Sequence, residues 1–213
     1  MSERDSQLAM PFEDMPQQYE AAHLGMWTFL ATEVLFFGGL FIGYAVYRHF
    51  YDADFLEAIK HTALFYGTIN SALLLTSGLT MALAVQAAVE DRVKVITPLL
   101  AVTLLLGLGF LGCKALEYRK DLHDHLLPGP GFDPTLPVHA QMFFWLYWAM
   151  TALHAIHMIV GIGVLTVMIA FSWRRKFSAR YHIPLEIAGL YWAFVDIVWI
   201  YLYPLLYLIG RHS

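Results

Sequence analysis

Four ionisable side chains stand where an apolar chain has least use for them. Glu33 lies near the middle of 24–47, a stretch otherwise apolar but for two threonines. His154 and His157 are three apart in the apolar run 142–170, and Asp196 lies inside 186–209. A carboxylate at the centre of a membrane helix costs roughly 2.5–3.5 kcal/mol on insertion scales, so each acid needs a partner or a task. For Glu33 two readings stand: a protonated acid hydrogen-bonded inside a helix bundle, or a site of proton, lipid or partner coupling. His154 and His157 share a helix face and could offer two imidazoles to one metal. Two ligands are too few, and no histidine at comparable depth on another stretch completes the set. Hydrogen bonding to Glu33, Asp196 or a backbone carbonyl is the reading the spacing favours. Trp192, Asp196, Trp199 and Tyr203 follow i, i+4, i+7, i+11 and define one face; the three aromatics offer Asp196 hydrogen-bond donors, and the expectation is a structural role locking the last helix to the bundle. Glu117 is the fifth buried polar candidate; Lys114, three residues before it, shares its face and can pair with it.

The elements that must position these groups are helices. Hydrophobic residues make up 59 % of the 213, charged residues 14 %, against about 25 % charged in a soluble domain, and mean hydropathy is +0.56. The fold class is all-α: a polytopic membrane bundle of five spans at about 24–47, 66–88, 95–116, 142–170 and 186–209. Residues 1–22 read as a polar tail without the basic and apolar regions of a signal peptide, and 23–213 as one transmembrane domain. The stretch 49–62 reads as a polar loop, and 117–140 as the longest connection, its prolines and glycines breaking any helix. A single cysteine excludes a disulfide framework and a thiolate metal site, and no basic block large enough for nucleic acid is present. His49, His61, His123, His125, His139 and His182 read as solvated loop histidines.

Two further patterns concern packing and orientation. Gly25, Thr28, Thr32, Gly39 and Gly43 fall within about 60° of arc on the first helix, a small-residue face that lets another helix approach closely. Arg174, Arg175, Lys176 and Arg180 cluster beside a membrane end, as topology determinants or as ligands for anionic lipid head groups. With five spans, seven basic residues fall on the N-terminal side and five on the other. The expectation is a cytoplasmic N-terminus and an outside C-terminus.

The stretch GMWTFLATEVLFFGGLF, with Glu33, resembles the acid-bearing helix of subunit III of the heme-copper oxidases (cytochrome c oxidase). The resemblance continues in order through NSALLLTSGLTMALA, GFLGCKALEY, TALHAIHMIVG and LEIAGLYWAFVDIVWIYLYPLLYLIG, and fits the five-helix bacterial form. It implies an accessory subunit without a redox centre of its own. Heme and copper would lie in subunit I, against which this chain packs beside subunit II. The implied role is to support proton uptake and turnover lifetime, with phospholipid bound and with residence in the bacterial plasma membrane. In the family the acid matching Glu33 is the one modified by carbodiimides. One departure stands out: the family commonly reads Trp-His-Phe-Val-Asp where this chain has Ala193 before Phe194, so Asp196 must find another partner. The alternatives are subunit III of a quinol oxidase, the related protein of nitric oxide reductases, or a free-standing proton or solute transporter. The lack of paired repeats and broken helices argues against the last.

Overall fold

A computed structural model describes residue 12, residues 14–174, residue 177 and residues 181–209. Among them the chain forms α1 (Met15–Phe50), α2 (Asp52–His61), α3 (Leu64–Val89), α4 (Val93–His123), α5 (Ala140–Trp173) and α6 (Ile183–Tyr203), closed by a π-helical turn, Pro204–Leu208. Five of these, α1, α3, α4, α5 and α6 with its turn, are long and apolar enough to span a membrane, as the sequence led one to expect.

Their ends differ from the expectation in ways the local chemistry explains. Helix α1 starts at Met15, inside the stretch read as a tail, because the Asp14 carboxylate accepts the Gln17 N–H at 2.8 Å and Pro16 fits the first turn. Helix α4 runs seven residues beyond its expected end at 116, since Glu117 and Asp121 continue its buried face rather than turn to water. It stops in a Schellman turn: His125 takes φ 55° and the Leu126 N–H bonds back to the Asp121 carbonyl at 2.9 Å. The α3–α4 corner repeats the device with Asp91 at φ 58° and Arg92 bonded to Ala87 at 2.8 Å.

The stretch 49–62, expected as a loop, instead holds α2. Phe55, Ala58 and Ile59 recur at i, i+3, i+4 and are fully buried, while Asp52 and Asp54 open the helix and Lys60 and His61 close it, matching its dipole. Phe55 packs edge-on to Tyr44 and Phe143. His139, read as a solvated histidine, stacks on Tyr51 at 3.8 Å and bonds Asp54 at 2.8 Å, tying α2 to the start of α5.

Helices α3, α4, α5 and α6 surround a common core, and α1 lies outside it against α5 and α6. Trp192 fills the centre so tightly that a Cβ on Gly107 of α4 would come within 2.8 Å of its ring. Hydroxyl pairs Thr80–Thr103 and Thr97–Ser172, both at 2.7 Å, bridge α3 to α4 and α4 to α5.

Candidate functional site

Glu33 projects from α1 to α5 and meets His157, Oε2 to Nε2, at 3.1 Å, with both side chains largely buried. The other ring nitrogen decides the chemistry. His157 Nδ1 lies 2.8 Å from the Leu153 carbonyl, which can only accept, so Nδ1 carries a hydrogen. One proton therefore occupies the gap to Glu33, either as a neutral acid donating to the imidazole or as a carboxylate accepting from an imidazolium. The pair is neutral in both forms, which answers the burial problem that Glu33 poses in the sequence. Phe37 packs edge-on at 5.3 Å from the ring, and Tyr191 donates to the His157 carbonyl at 2.9 Å, fixing that turn of α5 against α6.

His154, one turn earlier, turns the other way. It is buried between Phe110 and Trp199, with ring centroids at 5.4 and 5.3 Å, and neither nitrogen has a hydrogen-bond partner among the described residues. The i, i+3 spacing thus does not bring the two imidazoles to one ligand. Among the described residues no three His, Cys, Asp or Glu side chains gather as a metal would need. His157 is engaged at both nitrogens and His154 is enclosed by rings, so each imidazole has its own surroundings.

Asp196 corrects a second expectation. The indoles of Trp192 and Trp199 do not turn back to it but cross to α3, donating to Ser77 at 3.1 Å and Ser71 at 3.0 Å, and Tyr203 pairs with Thr68 at 2.8 Å. The face itself is present, since all three aromatics stand on the α3 side of α6, but it zips two helices instead of holding the carboxyl. Asp196 Oδ1 is buried with no hydrogen-bond partner among the described residues. Its Oδ2 lies against Gly78, where any Cβ would collide with it. The carboxyl borders a groove of about 780 Å³ between α1, α3 and α6, walled by Gly78, Ala82, Gly189 and Ala193.

Glu117 does pair with Lys114, at 2.9 Å, and the pair has company that sequence reasoning missed. Asp121, Tyr147 and Tyr207 join it from α4, α5 and the π-helical turn. The spacing of Lys114, Glu117 and Asp121 at i, i+3, i+7 was the available signal; the expected helix end at 116 concealed it. A smaller cluster was also missed: Glu186 accepts from His23 at 3.3 Å and His182 at 3.2 Å at one end of α6.

The small-residue face of α1 points away from the bundle. Leu30, Phe37 and Tyr44, seven apart, are the buried line of that helix, while a Cβ at Gly25, Gly39 or Gly43 would meet nothing and Thr32 is exposed. Among the described residues no helix packs against this face. Of the basic cluster, Arg174 is exposed at the end of α5, and Arg175, Lys176 and Arg180 lie outside the described residues.

Comparison with known proteins adds to this geometry. The family profile described as Cytochrome c oxidase subunit III matches residues 15–211. Cytochrome c oxidase subunit 3 of Thermostichus vulcanus is 31 % identical over 192 residues, covering 88 % of this chain and 87 % of that one. Cytochrome bo(3) ubiquinol oxidase subunit 3 of Pseudomonas aeruginosa is 31 % identical over 186 residues, covering 87 % and 84 %. Heme-copper oxidase subunit I+III of Aeropyrum pernix is 30 % identical over 203 residues, covering 92 % of this chain and 24 % of that protein.

Proposed function

Since the chain belongs to the cytochrome c oxidase subunit III family and is the accessory subunit III of a heme-copper oxidase, we propose that it serves that oxidase by keeping proton uptake and turnover going. The match along nearly the whole chain carries the reading. The Glu33–His157 pair gives it a chemical basis: a neutral, proton-bearing pair at the boundary of α1 and α5 holds one proton with no net charge in the membrane, and can pass it on only as another proton replaces it.

The relative that carries subunits I and III in one protein supports association with subunit I. Heme and copper then belong to that partner, and subunit II completes the assembly. The outward face of α1, with Gly25, Thr32, Gly39 and Gly43, offers a neighbouring helix a close approach. Phospholipid covers the remaining exposed apolar side chains such as Leu35 and Ile42, with Arg174 placed at the head-group level. The membrane is the bacterial plasma membrane, with the N-terminus cytoplasmic on the balance of basic residues. The electron donor is cytochrome c, on the likeness of the last helix, although a quinol oxidase subunit is among the relatives.

Purification of the tagged chain from its native membrane in mild detergent tests this. Heme and oxygen consumption driven by reduced cytochrome c are expected in the same fraction. Oxygen consumption driven only by quinol would overturn the donor, and a stable, heme-free chain would overturn the oxidase role.

A further inference from the structure

Where α4, α5 and the π-helical turn meet, five polar side chains are sealed from solvent. Lys114, Glu117 and Asp121 are 2, 0 and 2 % exposed, and Tyr147 and Tyr207 not at all. With so little access to water, their hydrogens must be counted among themselves.

Lys114 Nζ makes three contacts, to Glu117 Oε2 at 2.9 Å, Tyr147 Oη at 3.1 Å and Tyr207 Oη at 2.7 Å. These use all three hydrogens of an ammonium. Both phenols accept from Lys114 and have one hydrogen each to give. Tyr207 gives its hydrogen to Glu117 Oε1 at 2.6 Å. Tyr147 faces two carboxyl oxygens at 2.9 Å, Glu117 Oε1 and Asp121 Oδ2, with a single hydrogen for both. The three contacts between oxygens need three hydrogens, and the phenols supply two. If both carboxyls were ionised, one of these contacts would set bare lone pairs against each other and the sealed cluster would carry a net negative charge.

We infer that this cluster is a proton-binding site: it holds one carboxyl proton, on Asp121, and is neutral as a unit. Asp121 Oδ2 donates to Tyr147, Tyr147 donates to Glu117, and Glu117 stays ionised because Lys114 and both phenols point their hydrogens at it. The other groups near the cluster do not change the count. Tyr118 donates to Thr151 at 2.8 Å, Arg119 is exposed, and Lys120, exposed beside Asp121, acts on it only through its charge and supplies no hydrogen to the three oxygen contacts. His154 on α5 and Trp199 on α6 lie one layer further along the core, the indole with Lys114 Nζ 5.7 Å from its centroid. Tyr207, bonded to both Glu117 and Lys114, ties the π-helical turn to α4 through the same network.

Infrared difference spectra of the assembled complex, wild type against Asp121→Asn at neutral pH, test this independently of the oxidase role. The expected result is loss of one neutral carboxylic-acid carbonyl band that shifts in deuterated buffer. Glu117→Gln is expected to remove the same band, since the single remaining carboxyl ionises against Lys114. Lys114→Met is expected to add a second one. Loss of carboxylate bands alone on Asp121→Asn, or persistence in Glu117→Gln of the band that Asp121→Asn removes, overturns the proposal. The three substitutions, all on α4, are read separately, so failure of one variant to assemble leaves the others decisive.

Discussion

His157 Nε2 and Glu33 Oε2 lie 3.1 Å apart while His157 Nδ1 is committed to the Leu153 carbonyl, so the pair shares a single proton. Glutamine at position 33 can still hydrogen-bond the imidazole but cannot release a proton. Glu33→Gln is therefore expected to assemble with normal heme content. His157→Ala leaves the acid buried with no partner and is expected to destabilise the chain by about 1–3 kcal/mol. Thermal unfolding of the purified complexes checks both, and the double variant should lose less than the sum of the two.

Gly107 sits where a Cβ would come within 2.8 Å of the Trp192 ring, and a rigid indole wedged between four helices has nowhere to go. Gly107→Ala is expected to cost about 1–3 kcal/mol through overpacking. Gly163, where a Cβ meets nothing within 4 Å, is the matched control and should tolerate alanine. Equal melting temperatures for the two variants would contradict the packing described.

Phe55 anchors α2 with no exposed surface, wedged against Tyr44 and Phe143. Phe55→Ala is expected to cost about 3–5 kcal/mol and to release α2 before the rest of the bundle. Hydrogen exchange over 52–61 should accelerate while that over α3 and α4 stays slow; uniform acceleration would count against a separately anchored helix.

Gly39 faces outward, so Gly39→Leu fits within this chain's own fold. The expected outcome is normal expression and helicity of the chain together with reduced recovery of the complete complex. Undiminished recovery would show that no helix packs closely on that face.

The five spans were legible because hydropathy and length decide them, and the Glu33 problem was legible because a lone acid among apolar residues is conspicuous. Three things were not. Helix α2 is short, and its apolar triplet Phe55, Ala58, Ile59 is masked by the acids and bases that cap it. The end of α4 was hidden because Asp121 reads as a water-seeking residue until Tyr147, twenty-six residues away, supplies a partner. The partners of Asp196 were misread because side chains on one helix face share a direction rather than each other; Trp192 and Trp199 found hydroxyls on α3 instead.

The most direct measurement is the number of turnovers the purified oxidase completes before inactivation, compared between the wild type and Glu33→Gln at equal heme and subunit content. A proton-bearing Glu33–His157 pair that sustains proton uptake predicts a markedly shorter lifetime for the variant with initial activity retained. An unchanged lifetime in a fully assembled Glu33→Gln complex would contradict it and leave the pair a purely structural solution to burying an acid.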